Sequence, residues 1–178
     1  MSLEHDSHHH EEPMSPEDVV RSLLLLGQVA LDAGDYESAT EAYASVLQLE
    51  QNETALYNLG SFYARGLWVK QDFVEAARLF HQAELLGNAR AGKLCGKCMF
   101  DYECSGLETA TPADLYARMA VFVSRVYPEA ADAKLEVNNG LLAVAFTLLN
   151  KGARAEAEQL LRAADEYGHD ERAHEYLV

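Results

Sequence analysis

The run LGSFYARGLWVKQDFVEAARLFHQAELLGNARA, residues 59–91, decides the fold because its parts return elsewhere in the chain. The segment Ala55–Tyr63 maps onto Ala91–Met99 at an offset of 36, with alanine and glycine matched outright and large apolar residues elsewhere. Gly27, Gly60 and Gly96 stand at the same place in three successive units, 33 and then 36 residues apart. A glycine inside a helix costs about 1 kcal/mol relative to alanine. Its recurrence implies a reason to keep it, and close approach of a neighbouring helix is the one expected.

Outward from this run, helical signals continue in both directions. Ser15-Pro16-Glu17-Asp18 opens a helix, with serine as cap, proline in the first position and acids where the helix dipole favours them. Leu23, Leu26, Val29 and Ala30 are expected to form its inner face, and Gly34-Asp35 to end it. A second helix over 36–49 follows, with Tyr36, Ala39, Tyr43, Val46 and Leu47 inward. Thr111-Pro112 and Asp114 start a later helix. Towards the end, Gly152, Ala157, Leu161 and Ala164 repeat the spacing of Gly34, Ala39, Tyr43 and Val46. The expected organisation is a leader over 1–15 and a single helical-repeat domain over 16–178. Its units are expected at about 19–52, 53–88, 89–130 and 138–171, with a capping helix over 170–178.

These residues carry a family resemblance. Gly27-x2-Ala30-x3-Gly34-Asp35-Tyr36-x2-Ala39-x3-Tyr43-x2-Val46 resembles a tetratricopeptide repeat. Leu59-Gly60-x2-Tyr63-x2-Gly66-Leu67-Trp68-Val69-x2-Asp72-x2-Glu75-Ala76-x2-Leu79-Phe80-x2-Ala83-Glu84-x2-Gly87-Asn88-x2-Ala91 is similar to its longer relative, the Sel1-like repeat, with Trp68 in place of a small loop residue. The third unit departs from the pattern after Phe100, with an insertion expected through Asp101 to Thr111. The resemblance implies an all-α fold, a right-handed superhelical solenoid of antiparallel helix pairs.

Composition narrows the function. The chain of 178 residues carries 29 acids, 14 basic residues and a net charge of -15, which disfavours nucleic acid as a partner. Apolar runs such as those over 23–26 and 141–146 fall far below the roughly 20 residues of a membrane span, so no membrane partner is expected. Residues 1–16 hold no basic residue or apolar stretch of a secretory or transit signal, and a cytoplasmic location is expected. His5 and His8 to His10 in the leader are interleaved with acids and read as a flexible tract rather than a closed metal site.

Cys95-x2-Cys98-x5-Cys104 invites a zinc or redox reading. Against it, Cys95 falls in register with Leu59 and Cys98 with Phe62, both core positions, so packing is the preferred role. His169 and His174 are five residues apart and share no helix face. Phosphate loops, zinc-protease motifs and nucleophile elbows do not occur, so no enzyme, catalytic residue, cofactor or resident metal is expected.

Charge is distributed unevenly. Residues 1–53 contain twelve acids and one base, Arg21, whereas residues 64–97 contain six bases and three acids. In tetratricopeptide-like folds the first helix of each unit lines the concave surface. The resemblance therefore places Leu24, Gln28 and Leu31, then Tyr57, Asn58, Ser61 and Arg65, then Arg90, Lys93, Lys97 and Phe100 along one groove. Such a groove suits a partner protein, or an extended or helical peptide, of acidic character. Asn58 with Arg90 or Lys93 is similar to the family's carboxylate clamp, but Leu24 stands where the clamp has its first lysine. The expected function is a protein-interaction scaffold. The alternatives are a small secretion chaperone of the same class and a metal or redox sensor using the cysteines. The exposed ends of such a solenoid also leave room for a homodimer.

Overall fold

The computed structural model describes residues 13–178, and among these residues all regular structure is α-helical. The helices are α1 (Pro16–Asp32), α2 (Tyr36–Leu49), α3 (Glu53–Arg65), α4 (Phe73–Leu85), α5 (Ala89–Cys104), α6 (Pro112–Val126), α7 (Ala133–Asn150), α8 (Arg154–Glu166) and α9 (Glu171–Leu177). The histidine-rich stretch of the leader lies outside the described residues. Among the described residues no helix is long and apolar enough to cross a membrane.

Local chemistry explains where the helices start and stop. Ser15, Asp35, Asn52, Asp72, Asn88, Thr111, Asp132 and Asp170 each accept a hydrogen bond from a backbone N–H in the first turn of the helix that follows. At Thr111 the bond is reciprocal, because the Asp114 carboxylate accepts from the Thr111 N–H at 2.9 Å. The turns after α1 and α7 use the same device: Gly34 at φ +75° and Gly152 at φ +80° reverse the chain in the left-handed region.

Neighbouring helices pack face to face. The closest seams join α1 to α2, α3 to α4, α4 to α5 and α7 to α8. Buried Tyr43, Phe62, Phe80 and Phe122 are the largest apolar groups of one continuous core. In the first two pairs a glycine lies under the facing aromatic ring. A Cβ on Gly27 would stand 2.8 Å from the Tyr43 ring, and one on Gly60 2.9 Å from Phe80.

The third pair differs. A Cβ on Gly96 would meet nothing within 4 Å, so the close approach expected there is absent. α5 packs chiefly on α4 and barely touches α6, which lies instead against α4, α7 and α8. Gly140 of α7 takes over the close approach, its missing Cβ replaced by the Met119 side chain of α6. The departure from helical pattern expected from Asp101 also begins later, since α5 runs on to Cys104.

The inner face of α1 is another correction. Leu23 and Ala30 pack inward with Val20 and Gly27, but Leu26 and Val29 are 53% and 57% exposed. Gly27 sets this orientation, because α2 approaches α1 on the side where the Cβ is missing. The inner face of α2 packs as expected.

Candidate functional site

α3, α5 and α7 hold a row of adjoining cavities. The first, of about 370 Å³, is lined by Tyr57, Ser61, Ala64 and Arg65 of α3, Phe80 of α4, and Leu94, Lys97, Cys98 and Asp101 of α5. A second of about 370 Å³ shares Lys97 and Asp101 with it and adds Lys93, Gly96 and Phe100, with Thr147 and Lys151 across the gap. A third, of about 260 Å³, shares Gly96, Phe100 and Thr147 with the second and reaches Met99, Ala143 and Val144. The open face of Gly96 lies in this row, which is where the facing helix of the first two pairs has no counterpart.

The walls are apolar below and charged at the rim. Tyr57 packs edge-on against Phe80 with ring centroids 5.8 Å apart, which fixes the floor of the first cavity. Ser61 turns its hydroxyl back to the Tyr57 carbonyl at 2.9 Å, and the Arg65 Nε donates to the Ser61 carbonyl at 3.3 Å, leaving the rest of the guanidinium at the exposed rim. Lys97 and Asp101, one turn apart on α5, form an ion pair at 2.6 Å that raises the ammonium pKa through the hydrogen bond and the carboxylate charge. The Lys151 ammonium stands over the Phe100 ring at 4.0 Å from its centroid, joining the end of α7 to α5.

Of the eleven residues expected to line the groove, Tyr57, Ser61, Arg65, Lys93, Lys97 and Phe100 border this row. The others lie elsewhere. Leu24 borders a separate cavity with Glu17, Val20, Arg21, Glu50 and Asn52. Gln28 donates to Asp32 at 2.8 Å on the exposed surface of α1, and Leu31 is half-buried against the core. The Asn58 amide is turned to the Thr54 carbonyl at 2.9 Å, and Arg90 lies exposed in the first turn of α5. Neither borders the cavities that hold Lys93.

Asp101, Thr147 and Lys151 were absent from the expected set. Asp101 was legible in principle, being four residues after Lys97 on a helix that had not ended. Lys151 comes from a turn some fifty residues away, and no local signal assigns it to this face.

The cysteines are free thiols. Burial is the main cause that pushes Cys98 up to about 12 and also raises Cys95, whose Sγ lies 3.4 Å from the Tyr127 hydroxyl. Both are held protonated and packed, which is poor preparation for ligating a metal. Among the described residues no three histidine, cysteine or acidic side chains stand together as a metal site.

A buried carboxylate with a partly exposed arginine beside it sits just outside the row. Glu103, at the end of α5, is fully buried, and neither carboxylate oxygen has a hydrogen-bond partner. The Arg118 Nε of α6 is 4.0 Å away, an attractive distance beyond hydrogen-bond reach. Arg118 instead bonds the Tyr102 carbonyl and stacks over the Tyr102 ring at 4.7 Å. Desolvation raises the Glu103 pKa to about 7 in spite of the guanidinium.

No family model, no curated protein and no solved structure matches this chain.

Proposed function

We propose that the chain is a non-enzymatic interaction scaffold of the tetratricopeptide and Sel1-like class, a right-handed solenoid of helix pairs that holds a segment of a partner protein along α3, α5 and α7. The observation that carries the reading is the continuity of the three cavities, whose apolar floor of Tyr57, Phe80, Leu94 and Phe100 is rimmed by Arg65, Lys93, Lys97 and Lys151. Apolar anchors of the partner would supply most of the affinity, and the cations would set orientation and association rate. The packing pattern supports the class: two successive helix pairs bury a glycine under an aromatic ring, and three pairs, α1–α2, α3–α4 and α7–α8, have a left-handed glycine in the connection before the second helix. Three free thiols suit a reducing compartment such as the cytosol.

The test is a comparative pull-down with three proteins. The wild type and an Arg125→Glu control, changed on exposed α6 surface, are expected to retain the same partner. A variant with Arg65, Lys93 and Lys97 all changed to Glu is expected to lose it. Equal retention by all three proteins removes the groove from the function.

A further inference from the structure

Within the groove the distribution of charge is specific. The cavity between α5 and α7 is bordered by three lysines, Lys93, Lys97 and Lys151, and by one carboxylate, that of Asp101. In a chain of net charge -15 this is a local reversal of sign. Asp101 and Lys97 also border the neighbouring cavity, whose lining includes Tyr57, Phe80 and Leu94. The Lys97–Asp101 pair, closed at 2.6 Å, therefore stands at the junction of an apolar pocket and a cationic one. Lys97 is exposed and Asp101 half-buried, so the pair can open towards solvent.

We propose that this junction selects a peptide segment in which a bulky apolar side chain adjoins carboxylates, and that Asp101 is a built-in competitor that occupies Lys97 until a partner's carboxylate replaces it. The proposal rests on the groove reading above and specifies its occupant. The apolar side chain enters between Tyr57, Phe80 and Leu94. The adjoining carboxylates meet Lys93, Lys97 and Lys151, where charge complementarity favours them and disfavours basic segments. Asp101 raises the threshold: a neutral segment gains nothing by opening the pair, whereas an acidic one replaces one carboxylate by another and keeps Lys97 satisfied. Phe100 holds Lys151 over its ring at 4.0 Å, which keeps the third ammonium beside the cavity instead of free in solvent.

The test is selection from a phage-displayed library of random peptides on the full chain, with the enriched sequences resynthesised and titrated by fluorescence anisotropy. The expected consensus has a bulky apolar residue flanked on one side by acids. Changing Lys93, Lys97 and Lys151 together to Glu is expected to weaken binding about tenfold or more, and Asp101→Asn to strengthen it about threefold, in keeping with the coupling of close charge pairs. The opposite signs of the two variants separate the proposal from simple loss of folding, and circular dichroism of both checks it. Peptides enriched without acids, displaced by Tyr57→Ala but indifferent to the lysines, would leave the groove reading standing and overturn this proposal. Failure to enrich any peptide overturns both, as does binding that no groove variant alters. Should the chain sediment as a dimer that the triple lysine variant dissolves, the face belongs to a second copy and the proposal is overturned.

Discussion

At the scale of single residues, what faces a side chain decides its worth, and Gly60 and Gly96 show it. They occupy equivalent places in the sequence, yet a Cβ at Gly60 meets the buried Phe80 ring at 2.9 Å while one at Gly96 meets nothing within 4 Å. Gly60→Ala is expected to destabilise by about 1–3 kcal/mol through overpacking. Gly96→Ala is expected to stabilise by about 1 kcal/mol through helix propensity alone. Urea melts of the two variants check the pair, and a shift of the same sign in both would mean that the two glycines face equivalent surroundings. Glu103 provides a second case. Burial pushes its carboxyl up to about 7 from the ordinary 4.5 of a glutamate, so the folded chain binds more protons in that interval. The Glu103 contribution to stability is therefore full at low pH, is lost as the pH rises through that interval and levels above it. Glu103→Gln is expected to remove a decline of about 2–3 kcal/mol between about pH 5 and about pH 8. Parallel urea melts of wild type and variant measure it; identical slopes would mean that Glu103 ionises freely in the folded chain.

At the scale of elements, most helix starts were legible because polar caps announce them. Ser15-Pro16 and Thr111-Pro112 both lie at the boundaries they predicted, since the cap bonds are local. α8 is the exception. Its N-cap, Ala153, follows left-handed Gly152 as Asp35 follows Gly34, but makes no side-chain bond. The backbone at the two caps is similar, φ -85° and ψ 68° at Ala153 against φ -83° and ψ 81° at Asp35. Ala153→Asp is accordingly expected to add about 1 kcal/mol of stability by capping the first turn. Thermal denaturation checks this, and no gain would mean that the half-buried alanine methyl packs too well to replace. The course of α5 was less legible. The change of pattern after Phe100 suggested an end to the helix, whereas Asp101 continues it and closes on Lys97 one turn back. Glu103, an acid in an apparently irregular segment, carried no signal of burial, because burial is a property of the assembled helices and its one charged neighbour, Arg118, arrives from α6.

At the scale of the whole molecule, periodicity indicates helices that pack on their neighbours in the chain, and most do, whereas α5 barely meets α6. What periodicity could not supply is the strength of each seam. α1 and α2 meet the remainder of the chain almost entirely through α2 and α3. At that seam Phe62, fully buried, lies between two rings of α2, with Tyr36 at 5.9 Å and Tyr43 at 6.2 Å between centroids. Where helices contact mainly those nearby in the chain, as these do, stability approaches a sum of local and neighbour terms. A weakened seam then releases one end without unfolding the other. Phe62→Ala is expected to cost about 3–5 kcal/mol, as aromatic truncation in a core does. Much of that loss should appear as opening of α1 and α2. Native-state hydrogen exchange is the decisive measurement: protection should fall in α1 and α2 by orders of magnitude while α7 and α8 keep theirs. A uniform fall along the chain would instead show one cooperative unit, in which case a partner bound along α3, α5 and α7 would stabilise α1 and α2 as much as the helices it touches.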